Sequence, residues 1–383
     1  MIDAHVFSET LLGFLEPVRQ FLDDPSVSEV MINGPHQVFI ERRGRIEPTT
    51  ARFANREAVM CALRNAAQFV GKHVDELHPI LEARLPDGSR LQAVIPPAAP
   101  DGPYVSIRRF SKDTFTLARL LDLGTLTQDA LDTLEALVFS KLNVMIAGGT
   151  GSGKTSLLNA FTHFIPHAER IAVIEDSKEV QVQHPHVVQL EARPPDPQGR
   201  GGVSIRDLFR ATLRMRPDRI VIGEIRGGEA LDIVQAMVSG HGGCLGTLHA
   251  TYPRDTLTRL ETMALMSDVE LPLAALRLQI ASGVNVIVQV ARLSDGSRKL
   301  THVTEVVSFE LGSGRYELHD LFVREYQGRD EHGRIRSELM PTGYLPSFLP
   351  QLREHGRELP AAIYEAAERR IEAAASAPQE HRS

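Results

Sequence analysis

The sequence predicts an α/β fold: a mostly parallel sheet with helices on both faces, preceded by a smaller α+β domain. Three observations point there. The chain has 383 residues, more than one compact core accommodates, which suggests two domains. From residue 143 onward, apolar strand runs alternate with helical patterns, as parallel strands joined by crossover helices do. Residues 143–161, "NVMIAGGTGSGKTSLLNAF", set a glycine-rich turn between one such strand and one such helix.

Residues 1–22 read as an amphipathic helix, and their start lacks the basic residues and long apolar core of a signal peptide. "VSEVMING" and "QVFIERRGRIEPT" read as strands, with a turn at Gly44. "REAVMCALRNAAQFVGK" has apolar residues at helical spacing and ends near Gly71. "ILEARLPDGSRLQAVIP" is a strand, a Pro-Asp-Gly turn and a strand, and "YVSIRRF" is one strand more. This first domain spans 1–112, with 113–124 as its linker to a second domain over 125–374. The second begins with "TQDALDTLEALVFSK", a helix capped by Thr127. After the glycine-rich turn come "RIAVIED", "SIRDLFRATLRMRP", "RIVIGEI", "GEALDIVQAMVSG" and "CLGTLHA", strand and helix by turns. Residues 191–202, "EARPPDPQGRGG", read as an exposed loop, and 375–383 as a disordered tail. The longest apolar stretch, 271–291, is interrupted by polar residues; it reads as a helix, a turn at Ser282-Gly283 and a strand, not a membrane span. Any membrane role is therefore expected to run through partners.

Composition excludes several function classes. A net charge of −7, aromatics at 5% and no Trp argue against a nucleic-acid motor, which needs a basic channel and stacking rings. The two cysteines, Cys61 and Cys244, form no CxxC pair, so neither a cysteine zinc site nor a disulfide framework is expected; a reducing compartment fits.

The chemistry concentrates in the second domain. Gly148, Gly153, Lys154 and Thr155 match G-x-x-x-x-G-K-[ST]. The glycines let backbone N–H groups turn inward around phosphate oxygens, so the whole run Gly148, Gly149, Thr150, Gly151, Ser152, Gly153, Lys154, Thr155 and Ser156 is expected to hold nucleotide. Lys154 would reach the β- and γ-phosphates, and the Thr155 hydroxyl would ligate Mg²⁺. "VIEDSKE" and "PDRIVIGEIRG" end strands with acids: Glu175, Asp176 and Glu179 in one, Glu224 in the other. Ligands in such folds bind at the carboxyl ends of strands. Alternation keeps Glu175 and Asp176 from both facing the phosphates, and for one of them a solvated or capping carboxylate is the better reading. Gly223 stands where many P-loop ATPases carry a metal-binding Asp; Glu224 keeps the position that polarises water, and Glu175, through a water, or Glu179 is left to supply the missing carboxylate. His249 ends a strand at the same edge and is either a packed histidine or a contact to the γ-phosphate. Arg90, Arg108 and Arg109 are the arginines considered in the first domain, and alternation lets one of the last two face a cleft.

"GGTGSGKT", "VIEDSKE", "LRMRPDRIVIGEIRGGEALDIVQAM" and "SGHGGCLGTLHA" occur in that order and resemble the Walker A, acidic, Walker B and histidine boxes of the type II/type IV secretion ATPases. "LEARLPDGSRLQAVIPPAAPDGPYVSIRRF" is similar to the tight-adherence (Flp) pilus motor branch, the CpaF/TadA-like group. The resemblance covers roughly residues 25–350. It implies a RecA-like P-loop ATPase domain, ATP or ADP with Mg²⁺, and homohexameric rings in which the first domain closes over nucleotide held by the second. It also implies Glu224 as catalytic carboxylate, Glu175 and Glu179 as acidic-box residues, His249 as sensor, His241 beside the nucleotide, and Arg90 and Arg108 reaching the phosphates. The four-cysteine metal motif of the type II and pilus-extension branch is absent, and the stretch ahead of the core is short beside many CpaF-type proteins.

The expected function is a cytoplasmic motor, peripheral at the inner membrane, that hydrolyses ATP to drive assembly or retraction of a tight-adherence pilus through an inner-membrane platform protein. The alternatives are a type IV secretion or conjugation ATPase, and a weakly hydrolysing nucleotide-switched scaffold.

Overall fold

A computed structural model describes residues 10–42, 44–109, 116–196 and 198–376. The first nine residues of the helix expected over 1–22, the domain end near Lys112 and the last seven residues of the expected tail lie outside them. The chain forms two compact units, Met1–Asp113 and Thr114–Ser383.

In the first unit six strands pair antiparallel: β1 (Val27–Asn33), β2 (Val38–Arg42), β3 (Arg45–Pro48), β4 (Ile80–Arg84), β5 (Arg90–Val94) and β6 (Tyr104–Arg108). Their order is β3-β2-β1-β6-β5-β4. Alternate residues such as Leu91, Ala93, Val105 and Ile107 enter one core, which α1 (Glu16–Asp23) and α2 (Arg56–Phe69) also pack. The Asn55 side chain caps α2 by accepting from Ala58 N at 2.9 Å.

The second unit opens with α3 (Leu117–Asp122), which falls inside the expected linker. Thr116 caps it, and Leu120 packs in this unit's core, so much of the connection is part of the unit. Then follow α4 (Gln128–Phe139), β7 (Val144–Gly148), α5 (Lys154–Thr162), β8 (Ile171–Glu175), β9 (Val187–Glu191), α6 (Ile205–Thr212) and β10 (Arg219–Ile222). Next come α7 (Glu229–Val238), β11 (Leu245–Leu248), α8 (Pro253–Ala264), α9 (Leu273–Gly283) and β12 (Val286–Arg292). The expected turn at Ser282-Gly283 is still the end of α9. The chain closes with β13 (Arg298–Glu310), β14 (Arg315–Arg329), β15 (Ile335–Pro341), α10 (Leu349–Glu354) and α11 (Ala361–Ser376). Ala375 and Ser376, expected in a disordered tail, end α11.

The strands form one sheet in the order β15-β14-β13-β12-β7-β11-β10-β8-β9. From β12 to β9 every pairing is parallel; β13, β14 and β15 add an antiparallel extension. Val144 and Ile146 enter a core shared with α4 and α5, while Met145 and Ala147 enter a second core shared with α7, α8 and α9. A strand covered on both faces has no polar side to show, which is why β7 reads as an unbroken apolar run.

The parallel strands put all their carboxyl ends on one edge. The opposite edge is fastened by Arg219, whose side chain is wholly buried. It donates to Glu169 at 2.5 Å and to the last carbonyls of α4, Val138 O at 2.6 Å and Phe139 O at 3.1 Å. A cation there meets the negative end of the helix dipole. Arg219→Met should lower the unfolding free energy in urea by about 3–5 kcal/mol, because it strands buried acceptors. Lys141→Met, which removes a half-exposed partner of the same Glu169, should cost less than about 1 kcal/mol.

Candidate functional site

Four chain segments converge at the carboxyl edge of the second unit. The loop after β7 sits between β12 and β11. Gly148 has no room for a side chain: a Cβ would collide with Val290 O and Ser152 Oγ. The loop then folds on itself, with Ser152 Oγ donating to Gly149 O at 2.8 Å, and enters α5 at Lys154. Thr155 and Ser156 occupy the first turn of α5, so its free N–H groups and dipole face the loop's hollow. Lys154 is buried and donates to Gly148 O and Gly149 O, each at 3.0 Å. Thr150 and Gly149 are exposed on the rim.

Glu224 and His249 stand beside that lysine. His249 Nε2 lies 2.8 Å from Glu224 Oε1 and 3.5 Å from Lys154 Nζ. Burial, and next the Lys154 ammonium, push the His249 imidazole below its usual pKa, while Glu224 pulls the other way. Glu224 is also held by Arg226, through Nε at 2.7 Å and through Nη2. The turn carrying both is pinned by Glu229, which accepts from Arg226 N at 2.7 Å and Gly227 N at 2.9 Å. Glu224, Ile225, Arg226, His249 and Arg259 line a cavity of about 280 Å³. A larger hollow of about 720 Å³ lies at residues 265–272, away from these groups. Arg226 and Arg259 were not among the residues singled out from sequence, although Arg226 follows Glu224 by two in "GEIRG".

The acidic segment divides its labour differently from expectation. Glu175, expected to act on metal through a water, is 3% exposed and turned into its own loop. Its Oε1 accepts from Glu179 N at 2.9 Å and Val180 N at 2.8 Å. Burial nonetheless raises its pKa to about 7. It is Glu179 whose carboxylate reaches Thr155, Oε2 to Oγ1 at 3.5 Å. Asp176 is exposed and faces Arg226 at 3.3 Å. A hydroxyl and a carboxylate at the first turn of α5 are the hard oxygen donors Mg²⁺ prefers, with phosphate oxygens completing its shell. Among the described residues, no group of three or more His, Cys, Asp or Glu would hold a metal without such help.

Gly223 explains the orientation of Glu175. A Cβ at 223 would lie 2.9 Å from Glu175 Cγ and 3.2 Å from its Oε1. The carboxylate from β8 fills the space that a side chain at the end of β10 would need.

His241, expected beside the nucleotide, sits elsewhere. It precedes β11, whereas His249 follows it, so a four-residue strand, roughly 13 Å, separates them. Its carbonyl accepts from Cys244 Sγ at 3.1 Å, and its Nδ1 is buried without a partner. In this unit His241 belongs to the opposite edge of the sheet.

In the first unit the register sets Arg84, Arg90, Arg108 and Glu29 side by side across β4, β5, β6 and β1. Like charges directly opposite each other are unfavourable in a sheet, and Glu29 offers an opposite charge at the Arg108 end. Arg109 points away and donates to Asp24 O and, at 2.8 Å, to Val27 O, so it ties strands together. Arg84 escaped notice in the sequence, yet it mirrors Arg90 about the Pro-Asp-Gly turn.

A family profile described as "Type II/IV secretion system protein" matches residues 14–329. The type IV secretion system protein VirB11 of Brucella suis is 34% identical over 323 residues, covering 76% of this chain and 88% of its own length. The solved structure of the pilus retraction motor PilT with bound ADP aligns with a TM-score of 0.53 at 20% identity, covering 81% of this chain and 82% of that one. The ATPase DotB of Legionella pneumophila gives 0.53 at 20%, covering 75% and 79%. At such identities the two structures share the fold.

Gly223→Asp should crowd Glu175 and lower stability by about 1–3 kcal/mol. Gly223→Asp combined with Glu175→Ala should recover most of that loss. Denaturation midpoints of the parent and the two variants read this; a single variant as stable as the parent would contradict the packing.

Proposed function

The chain belongs to the Type II/IV secretion system protein family, and we propose that it is a Mg²⁺-dependent ATP hydrolase that drives a tight-adherence type IV pilus or related secretion machine. The observation that carries this is the placement of Glu224 and His249 against Lys154 at the mouth of a glycine-rich loop.

In this reading the backbone N–H groups from Gly148 to Ser156 cradle the phosphates, and Lys154 exchanges its loop carbonyls for β- and γ-phosphate oxygens. Thr155 and Glu179 hold Mg²⁺, which neutralises phosphate charge when bound. Glu224 orients and polarises the attacking water, and His249 reports the γ-phosphate to it. Arg226 restrains Glu224 until the site is filled. Arg90 and Arg108 are the arginines assigned here to phosphate, an effect worth about 10³–10⁵ in rate where an arginine meets the transferring phosphate. Loss of the γ-phosphate removes that attraction, a difference of about 1–3 kcal/mol per site on the usual scale of coupling. Six copies in a ring turn such steps into directed movement.

Among the described residues no helix is long and apolar enough to cross a membrane. In this reading force is passed to an inner-membrane platform protein from the cytoplasmic side. The similarity to VirB11 favours a second destination for the same motor, a type IV secretion machine. The clamp of Arg226 on Glu224 favours a slower alternative, a nucleotide-switched scaffold, which turnover measurements separate from a motor.

Lys154→Ala should abolish both nucleotide binding and hydrolysis. Glu224→Gln should keep ATP affinity within about threefold while lowering kcat by about 10²–10⁴, the usual contribution of a general base. Normal turnover by Glu224→Gln, measured as phosphate release, would remove that residue from the chemistry.

A further inference from the structure

The wall of the site facing β12 is as built as the wall carrying Glu224. β12 lies beside β7 on the side opposite β11. Val290 pairs with Gly148, so Arg292, two residues on, emerges at the same edge as the glycine-rich loop. Arg298 stands directly opposite Arg292 across the β12–β13 hairpin. Both side chains run along the loop. Arg292 Nη1 lies 3.6 Å from where a Cβ of Gly151 would stand, and Arg298 Cδ lies 3.5 Å from the same point at Gly153.

The hairpin beneath them is fastened at several points. Asp295 accepts from Ser297 N at 2.9 Å, from Ser297 Oγ at 2.6 Å and from Ile335 N of β15 at 2.8 Å. Arg329 Nη2 donates to Ser294 Oγ at 2.8 Å, and Thr125 Oγ1 donates to Arg298 O at 3.1 Å. Two arginines held beside the loop offer charge-assisted donors to an anion bound in it. The anion at hand is fixed by position: this part of a G-x-x-x-x-G-K-[ST] loop wraps the α- and β-phosphates, while the lysine serves the β/γ end.

We propose that Arg292 and Arg298 bind the diphosphate common to ATP and ADP from the β12 side, opposite Glu224 and His249. The inference rests on reading the loop as a nucleotide site. It divides the site by charge. The Glu224–His249 wall meets the γ end, where bonds change. The arginine wall meets the part that stays the same through hydrolysis. Groups that contact only the unchanged part bind substrate and product alike, so they set affinity more than rate.

The test measures ADP and ATP binding by calorimetry, at two salt concentrations, for the full chain, Arg292→Gln, Arg298→Gln, the double variant with both, and the lysine variants Arg292→Lys and Arg298→Lys. The expected result is a loss of at least about tenfold in affinity for ADP and ATP equally in the double variant, since each contact is charge-assisted. The lysine variants should recover part of it, and the salt dependence should weaken. In steady state KM should rise far more than kcat falls. ADP affinity within twofold of the parent, in the double variant or in folded single variants, would overturn the proposal. So would a loss confined to ATP. Failure of the parent chain itself to bind ADP would instead overturn the nucleotide reading, and the proposal with it.

Discussion

Lys154, His249 and Glu224 form a continuous polar chain across the ends of three strands, with contacts of 3.5 and 2.8 Å. Everything proposed for this molecule depends on that contiguity. In the proposed reading a phosphate in the loop meets the Lys154 ammonium, with the histidine and then the carboxylate next along the chain of contacts. The arrangement exists because β7, β10 and β11 are parallel, so that loops distant in sequence open on one edge. An antiparallel order would have sent one of them to the other side.

The site handles its negative charge by separating it. Glu175 is withdrawn into backbone N–H groups and held in the space left by Gly223, Glu224 is paired with Arg226, and Glu179 alone of the three reaches the hydroxyl of Thr155. Burying a carboxylate at Glu175 is costly, as its raised pKa of about 7 records. Two backbone donors offset part of that cost and shape the loop that presents Glu179. The carboxylate missing from position 223 is thus supplied in space from a neighbouring strand, but as a strut. Positive charge is separated likewise, into Lys154 in the loop and Arg292 and Arg298 beside it.

Much of this was legible in the sequence. The apolar run of β7, the loop and the start of α5 follow from residue type and spacing alone, and the carboxyl-edge rule places Glu224 and His249 together. Other features needed coordinates. β9 has no fully buried residue, and β13 to β15 mix polar and apolar positions without a clean period, so neither announced itself as strand. His241 and His249 look equivalent in a linear motif, yet the intervening strand carries them to opposite edges. The choice between Glu175 and Glu179 turned on the empty side-chain position of Gly223, a contact between strands that periodicity does not contain. Arg292 and Arg298 belong to no motif in the sequence; the parallel pairing of β12 with β7 is what puts them beside the loop.

The most direct test of the central claim is a structure of the assembled protein with a non-hydrolysable ATP analogue and Mg²⁺. The account predicts that Lys154 Nζ has left Gly148 O and Gly149 O for phosphate oxygens, with Glu224 released from Arg226 and His249 facing the γ-phosphate. An analogue bound elsewhere, with Lys154 still on those carbonyls and the Glu224–Arg226 pair intact, would contradict it.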